Sequence, residues 1–176
     1  GGRTLFGDGS LNPTSCWSAP SPWSMFCKGV GLSAVFKGRR LFDPESYGSW
    51  QRDSVRDVDI VTGCFLLLRR RTWNDLGGFD PDFFMYGEEV DLCLRARARG
   101  MHCLFTPEAS IIHYGGQSER VHADKVVRLL GSKRKLFARH WKRHWSAFGL
   151  VMLHAWVLNR SLFWAVLVPF RGELVR

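Results

Sequence analysis

The spacing of apolar residues divides the chain into segments of different period. Residues 4–11 centre on Asp8-Gly9, a pair that tolerates positive φ cheaply and so predicts a hairpin turn. Residues 12–57 show little periodicity. Pro20, Pro22 and Pro44 interrupt any long element there, so loops and one short helix near 23–36 are expected. Residues 58–68 form a nearly continuous apolar run, the pattern of a strand covered on both faces. A short helix through Trp73 and Leu76 should stop at Gly77-Gly78, because glycine supplies a left-handed cap. An aromatic loop over 79–87 leads into a helix over 88–99. Val90, Cys93, Leu94 and Ala98 make its apolar stripe, Asp91 and Arg95 pair one turn apart in the favourable acid-first order, and Gly100 caps it. Two short strands, 103–106 and 110–113, should follow, parted by Pro107. Val126, Leu130, Phe137, Trp141 and Trp145 then recur about a turn apart, predicting a basic amphipathic helix over 123–145 that Gly131-Ser132 could break.

Strands and helices interleave, which places the chain in the α/β class. Its 176 residues suit about one domain, and 45% hydrophobic content excludes a disordered chain. The distribution of charge adds more than the net +9. Residues 1–119 carry 13 Lys/Arg against 14 Asp/Glu, while 120–176 carry 12 against 2. A near-neutral body (1–119) is thus followed by a basic arm (120–176), and basic arms meet anionic partners. The apolar stretch 147–170 is interrupted by Arg160, leaving too little on either side for the ~20 residues of a membrane-spanning helix. An interfacial helix beside anionic head groups fits better. Lys133, Arg134 and Lys135 would supply attraction to an anionic membrane surface, and Trp145, Phe148, Leu150, Trp156 and Trp164 would insert. Nucleic acid is the competing partner, with Trp141 and Trp145 among the cations, but it has no use for the apolar stretch, so no nucleic acid is expected. The five cysteines are odd in number and scattered, so reduced thiols in the cytoplasm are expected. Residues 1–15 hold no apolar signal-type region and the first residue is not Met, so the chain reads as a piece of a cytoplasmic protein.

The densest chemistry lies in the aromatic loop and the helix after it. Asp80, Asp82, Glu88, Glu89 and Asp91 fall within twelve residues, among Phe79, Phe83, Phe84 and Tyr86. Crowded acids repel, which raises at least one pKa, and such a carboxylate can take a proton from a hydroxyl. Acids in a first helical turn are also good capping, and paired carboxylates would serve a glycosidase as well as a transferase.

Five ordered blocks carry a resemblance. They are Val61-Thr62-Gly63-Cys64 with Arg69-Arg70; Gly77-Gly78-Phe79-Asp80; Phe83-Phe84-Met85-Tyr86-Gly87-Glu88-Glu89-Val90-Asp91-Leu92-Cys93-Leu94-Arg95; Pro107-Glu108-Ala109; and His113-Tyr114-Gly115-Gly116-Gln117-Ser118. Through them the chain resembles the C-terminal half of family-2, GT-A-type glycosyltransferases, especially the rhamnosyltransferase-like branch. The implied fold is the acceptor-side part of a GT-A mixed sheet with flanking helices, followed by the basic and apolar helical arm.

The implied activity is inverting transfer of a sugar from a nucleoside-diphosphate donor to a lipid-linked or cell-envelope glycan acceptor. Glu89 is the expected general base and Glu88 the alternative, since the family more often has Asp where this chain has Glu89. Asp91, Tyr86 and Arg95 are expected to orient the helix or contact the acceptor. Arg120 would face the diphosphate, and His113 would be a ligand to a divalent metal (Mg or Mn). The family's Asp-x-Asp metal motif has no counterpart in context: Asp57-Val58-Asp59 opens a strand and Asp80-Pro81-Asp82 belongs to the acidic loop. The nucleotide-binding half is therefore expected to be missing, with this stretch inactive by itself and the enzyme at the inner face of the cell membrane.

Overall fold

The computed structural model describes residues 1–114 and 122–171. Among the described residues the architecture is α/β, with one small mixed sheet, an antiparallel strand pair and six helices, the class the sequence predicts. Strand β1 (Gly2–Leu5) runs parallel to β5 (Cys103–Ile112), and β3 (Arg56–Val58) runs antiparallel on the other side of β5. Strands β2 (Cys16–Trp17) and β4 (Ile60–Val61) form a separate antiparallel pair.

The Asp8-Gly9 turn forms as expected. Gly9 sits at φ +81°, and Asp8 accepts hydrogen bonds from the Ser10 amide and hydroxyl. The return arm makes a single bridge, Leu5 to Leu11, so the ladder of β1 is with β5 rather than within a hairpin. The single helix expected near 23–36 is two. Helix α1 (Pro22–Gly29) starts on a Ser21–Ser24 capping box, and α2 (Leu32–Val35) starts after Gly31, whose φ of +84° interrupts the helical path.

The predicted strand over 58–68 is corrected. It breaks at Asp59, whose amide donates to the Tyr47 hydroxyl while its carboxylate accepts from Ser18 Oγ and the Ala19 amide. These side-chain bonds replace a ladder position. Beyond Val61 the chain turns through a 3-10 segment (Gly63–Phe65), and Leu67 is left 85% exposed. Apolar run length alone does not separate a buried strand from such a turn. The two strands expected around Pro107 are one, β5. Its pairing with β1 skips from Thr106 to Ser110, so Pro107 lies in a bulge where it has no ladder amide to lose.

Helix α3 (Arg70–Leu76) ends as predicted at Gly77, φ +78°. Helix α4 (Glu88–Ala98) follows Gly87, φ +99°. Helix α5 (His122–His140) runs straight through Gly131-Ser132, because Gly131 meets no neighbour and Ser132 is buried against the 79–87 loop. The break falls instead at 141–142, before α6 (Arg143–Arg171).

One core cluster joins the sheets to α4 and α5 through Val58, Ile60, Phe83, Val90, Phe105 and Leu136. A second joins α1, α5 and α6 through Met25, Phe137 and Leu153. Close backbone approach makes the second possible. A Cβ on Gly29 would sit 2.9 Å from the Met152 carbonyl oxygen, and one on Gly149 would sit 2.6 Å from the Trp141 ring.

The arm is therefore packed on the body along α5 and the first half of α6. Leu150 and Trp156, expected to insert into lipid, pack against the second cluster. Beyond them Leu158, Leu162 and Phe163 are exposed, with Val151 on the same helix. Among the described residues no helix is long and apolar enough to cross a membrane.

Candidate active site

The acidic loop is held from two sides. Gly87, in the left-handed region that L side chains rarely adopt, turns the chain sharply from loop to helix. This puts Glu88, Glu89 and Asp91 in the first turn of α4, where the helix dipole favours negative charge. Helix α5 lies along the outside of the loop and grips it residue by residue. Lys125 stands 5.7 Å from the centre of the Tyr86 ring and Arg128 5.8 Å from that of Phe84. Ser132 Oγ donates to the Met85 carbonyl, and Lys135 Nζ donates to the Asp82 carbonyl. Arg139 reaches both Asp80 (2.6 Å) and Asp82 (3.2 Å). The Asp80 carboxyl is held below the ordinary range, first by the Asp82 amide and then by Arg139.

Asp91 and Arg95 pair as predicted, at 2.7 Å, and the pair is part of a larger hub. Asp91 is fully buried and also meets His140 Nε2 at 2.9 Å and Arg139 at 3.4 Å. Arg95 donates onward to the carbonyls of Leu76 and Gly78, tying α4 to the end of α3. Asp91 has no exposed surface of its own.

Glu88 and Glu89 face elsewhere. Each has a carboxylate oxygen, Oε2, that is buried with no hydrogen-bonding partner. Burial, then the neighbouring Glu88 charge, pushes the Glu89 carboxyl up to about 7, while the amides of Glu89 and Gly87 work weakly the other way. The wall opposite is Gly63. A Cβ there would lie 3.5 Å from Glu89 Cβ and 4.0 Å from its carboxyl carbon, and nothing larger than hydrogen intervenes. A carboxylate with one buried oxygen unpartnered, half protonated near neutral pH, is equipped to accept a proton from a hydroxyl brought to it.

The other predicted residues are less convergent. Tyr86 is half-buried in the loop, with φ +67°. His113 follows the end of β5, and its amide donates to the Leu5 carbonyl. Arg120 lies outside the described residues. A divalent metal is implied by the resemblance, yet among the described residues no three His, Cys, Asp or Glu side chains converge as a ligand set.

The expected role of the arm changes most. Of the three cations assigned to a membrane surface, Lys133 is turned inward toward Glu45, where burial lowers its pKa against the attraction of that carboxylate. Lys135 is bonded to the loop, and Arg134 is exposed. Trp141 stacks on Phe137 at 4.2 Å rather than standing free. Arg139 and His140 were not singled out by sequence reasoning, although a signal was present. Lys125, Arg128, Ser132, Lys135 and Arg139 recur every three or four residues, a polar stripe of helical period with an acidic loop available to meet it.

Comparison with known proteins identifies the family. The chain is similar to the rhamnosyltransferase WbbL of Escherichia coli, 34% identical over 99 residues, covering 52% of this chain and 38% of that protein. It is similar to the N-acetylglucosaminyl-diphospho-decaprenol L-rhamnosyltransferase of Mycobacterium tuberculosis, 38% identical over 117 residues, 61% of this chain and 38% of that protein. It is also similar to the O-antigen biosynthesis protein RfbC of Myxococcus xanthus, 34% identical over 80 residues, 46% of this chain and 6% of that protein. The chain thus spans well under half the length of these relatives. No solved structure matches it. The model of the family described as glycosyl transferase family group 2 matches residues 39–172, and the chain belongs to that family.

Proposed function

We propose that the protein transfers a sugar, rhamnose, with inversion from a nucleoside-diphosphate donor to a hydroxyl of a lipid-linked glycan, and that Glu89 is the general base. The observation that carries the reading is the buried, partnerless Glu89 oxygen, on a carboxyl pushed up to about 7 and facing Gly63. In the reaction the acceptor hydroxyl gives its proton to Glu89, and its oxygen forms a bond to the anomeric carbon. The bond from that carbon to the diphosphate breaks, and the nucleoside diphosphate leaves with the electron pair. Glu88 keeps Glu89 basic by like-charge repulsion. Asp91, with Arg95, Arg139 and His140, holds the helix start in place.

The test is turnover in the whole protein. Glu89→Gln keeps the shape and removes the base, so turnover should fall by ~10²–10⁴ with folding intact, since that is what a general base contributes. Glu88→Gln should do less. Loss confined to Glu88→Gln would move the base by one residue, and full turnover in both variants would end the catalytic reading.

The same reading places the enzyme against the inner face of the cell membrane, beside a lipid-linked acceptor. What supports it is the exposed apolar surface of α6, Val151, Leu158, Leu162 and Phe163, with Arg134 on α5 and Arg160 on α6 available to lipid head groups. Flotation with anionic vesicles checks it. Leu158→Gln with Leu162→Gln should release the protein at any salt concentration; retention of both variants with the vesicles would contradict it.

A further inference from the structure

The turn that follows α2 interleaves apolar residues with cations over one short stretch, Val35-Phe36-Lys37-Gly38-Arg39-Arg40-Leu41-Phe42. Val35 is 75% exposed and Leu41 62%, and Phe36 is exposed beside Phe42, with ring centres 4.8 Å apart. Lys37, Arg39 and Arg40 are exposed as well, and none of them is paired with a described carboxylate. The acid next in the chain, Asp43, is turned to the backbone and accepts from the Gly38 amide.

The cations are held in place by a second turn. Gly38 (φ +75°) and Gly48 (φ +71°) let the two turns close on each other. A Cβ on Gly48 would lie 3.2 Å from Arg40 Cγ and 3.3 Å from the Gly38 carbonyl oxygen. A cleft of about 560 Å³ results, lined by Lys37, Arg39, Arg40 and Ser49 and by the Tyr47 and Trp50 rings. Arg56 stacks on both rings, 4.7 and 4.9 Å from their centres, so a fourth cation stands against the aromatic wall. The segment is also joined to the exposed part of α6. Asn159, between exposed Leu158 and Leu162, donates to the Gly29 carbonyl, and Val30 beside it is 47% exposed.

A cleft of unpaired cations calls for an anion, and aliphatic side chains standing in water next to it call for hydrocarbon. Nucleic acid supplies phosphates but gives nothing to Val35 and Leu41. A soluble phosphate ester leaves the same two residues in water. A bilayer of anionic phospholipid has phosphates at its surface and hydrocarbon just beneath, which meets both needs. It also takes up the charge that α5 does not offer, where Lys133 is turned inward and Lys135 is bonded to the acidic loop.

We propose that the turn over 35–42 is a membrane-docking loop selective for anionic phospholipid. The cleft takes the headgroup phosphate, and Val35, Phe36 and Leu41 enter the boundary with the acyl chains. The proposal shares the membrane with the reading above, which rests on α6, and adds the element that selects lipid charge.

The test is flotation of the whole protein with vesicles of phosphatidylcholine alone and of phosphatidylcholine mixed with phosphatidylglycerol, over a range of salt. Lys37→Gln combined with Arg39→Gln and Arg40→Gln keeps the aliphatic stems and removes the charges. It should weaken binding to the anionic vesicles about a hundredfold, or about fivefold for each cation, flatten the salt dependence and leave binding to phosphatidylcholine unchanged. Val35→Ser with Leu41→Ser should weaken binding about tenfold at every salt concentration, since two aliphatic side chains no longer enter lipid. All five side chains are exposed, and an unchanged unfolding temperature verifies the fold of both variants. Anionic-vesicle binding that survives the triple substitution overturns the proposal. Release of the unaltered protein by millimolar glycerol phosphate would make the cleft a site for a soluble ester and overturn it too. So would a gel shift of a single-stranded oligonucleotide that the triple substitution abolishes while vesicle binding stays normal. The α6 variants separate the two levels. Release by Leu158→Gln with Leu162→Gln, but not by the triple substitution, would strike the loop and leave docking through α6 standing. Release by the triple substitution alone would do the reverse.

Discussion

Glu89 and Asp91 lie two residues apart in the first turn of α4, about 200° around the helix from each other. Both are removed from water and both feel the positive end of the same helix. Their surroundings differ in one respect, the presence of cations. Asp91 is met by Arg95, Arg139 and His140, and through them it fastens α3 and α5 to α4. Glu89 has Glu88 beside it and a bare glycine opposite, and its carboxyl is pushed up to about 7. One helix thus holds a paired acid that stabilises the fold and another that costs stability, with one carboxylate oxygen unpartnered and Gly63 as the wall opposite. Strained or unsatisfied groups persist when the rest of the structure over-determines them, and the Asp91 hub supplies that support here.

The comparison predicts that the two acids respond oppositely to neutralisation. Asp91→Asn leaves the guanidiniums of Arg95 and Arg139 and the His140 ring around a buried amide, and breaking a buried ion cluster from one side costs ~3–5 kcal/mol. Chemical denaturation should show a loss of that order. A loss under 1 kcal/mol would mean that the hub does not hold the helix start, and the contrast with Glu89 would disappear.

Local signals made much of this readable without coordinates. The ends of α3 and α4 followed from Gly77, Gly87 and Gly100, whose left-handed φ values require glycine or something close to it. The Asp91–Arg95 pair followed from helical spacing; the crowding of acids implied a raised carboxyl among them, and the resemblance singled out Glu89. What was hidden depended on residues far apart in the chain. Asp59 ends a strand because Ser18, Ala19 and Tyr47 satisfy it, partners 41, 40 and 12 residues away. The basic stripe of α5 reads as an arm for an external anion until the loop 40 to 60 residues earlier is placed against it. Arg52 is hidden in the same sense. It is 2% exposed and donates to the carbonyls of Pro13, Cys16, Ser46 and Trp50, a use of arginine without a carboxylate that no sequence spacing announces. Sequence period fixes which face of a helix is polar, but only packing decides whether that face meets water, lipid or the rest of the chain.

The most direct test of the account is the pH dependence of stability in the unaltered protein and in Glu89→Gln. Glu89 is protonated more readily when folded, with its pKa raised from 4.5 to about 7. Between those values the folded state binds more protons than the unfolded one, so its stability falls as pH rises through that window. Gln has no charge to bury. The variant should therefore gain on the unaltered protein from pH 4.5 upward and level off above pH 7, with a total change of up to ~3 kcal/mol. A difference between the two that stays flat from pH 4 to pH 8 would show that Glu89 is an ordinary solvated carboxylate, and the separation of roles within α4 would not hold.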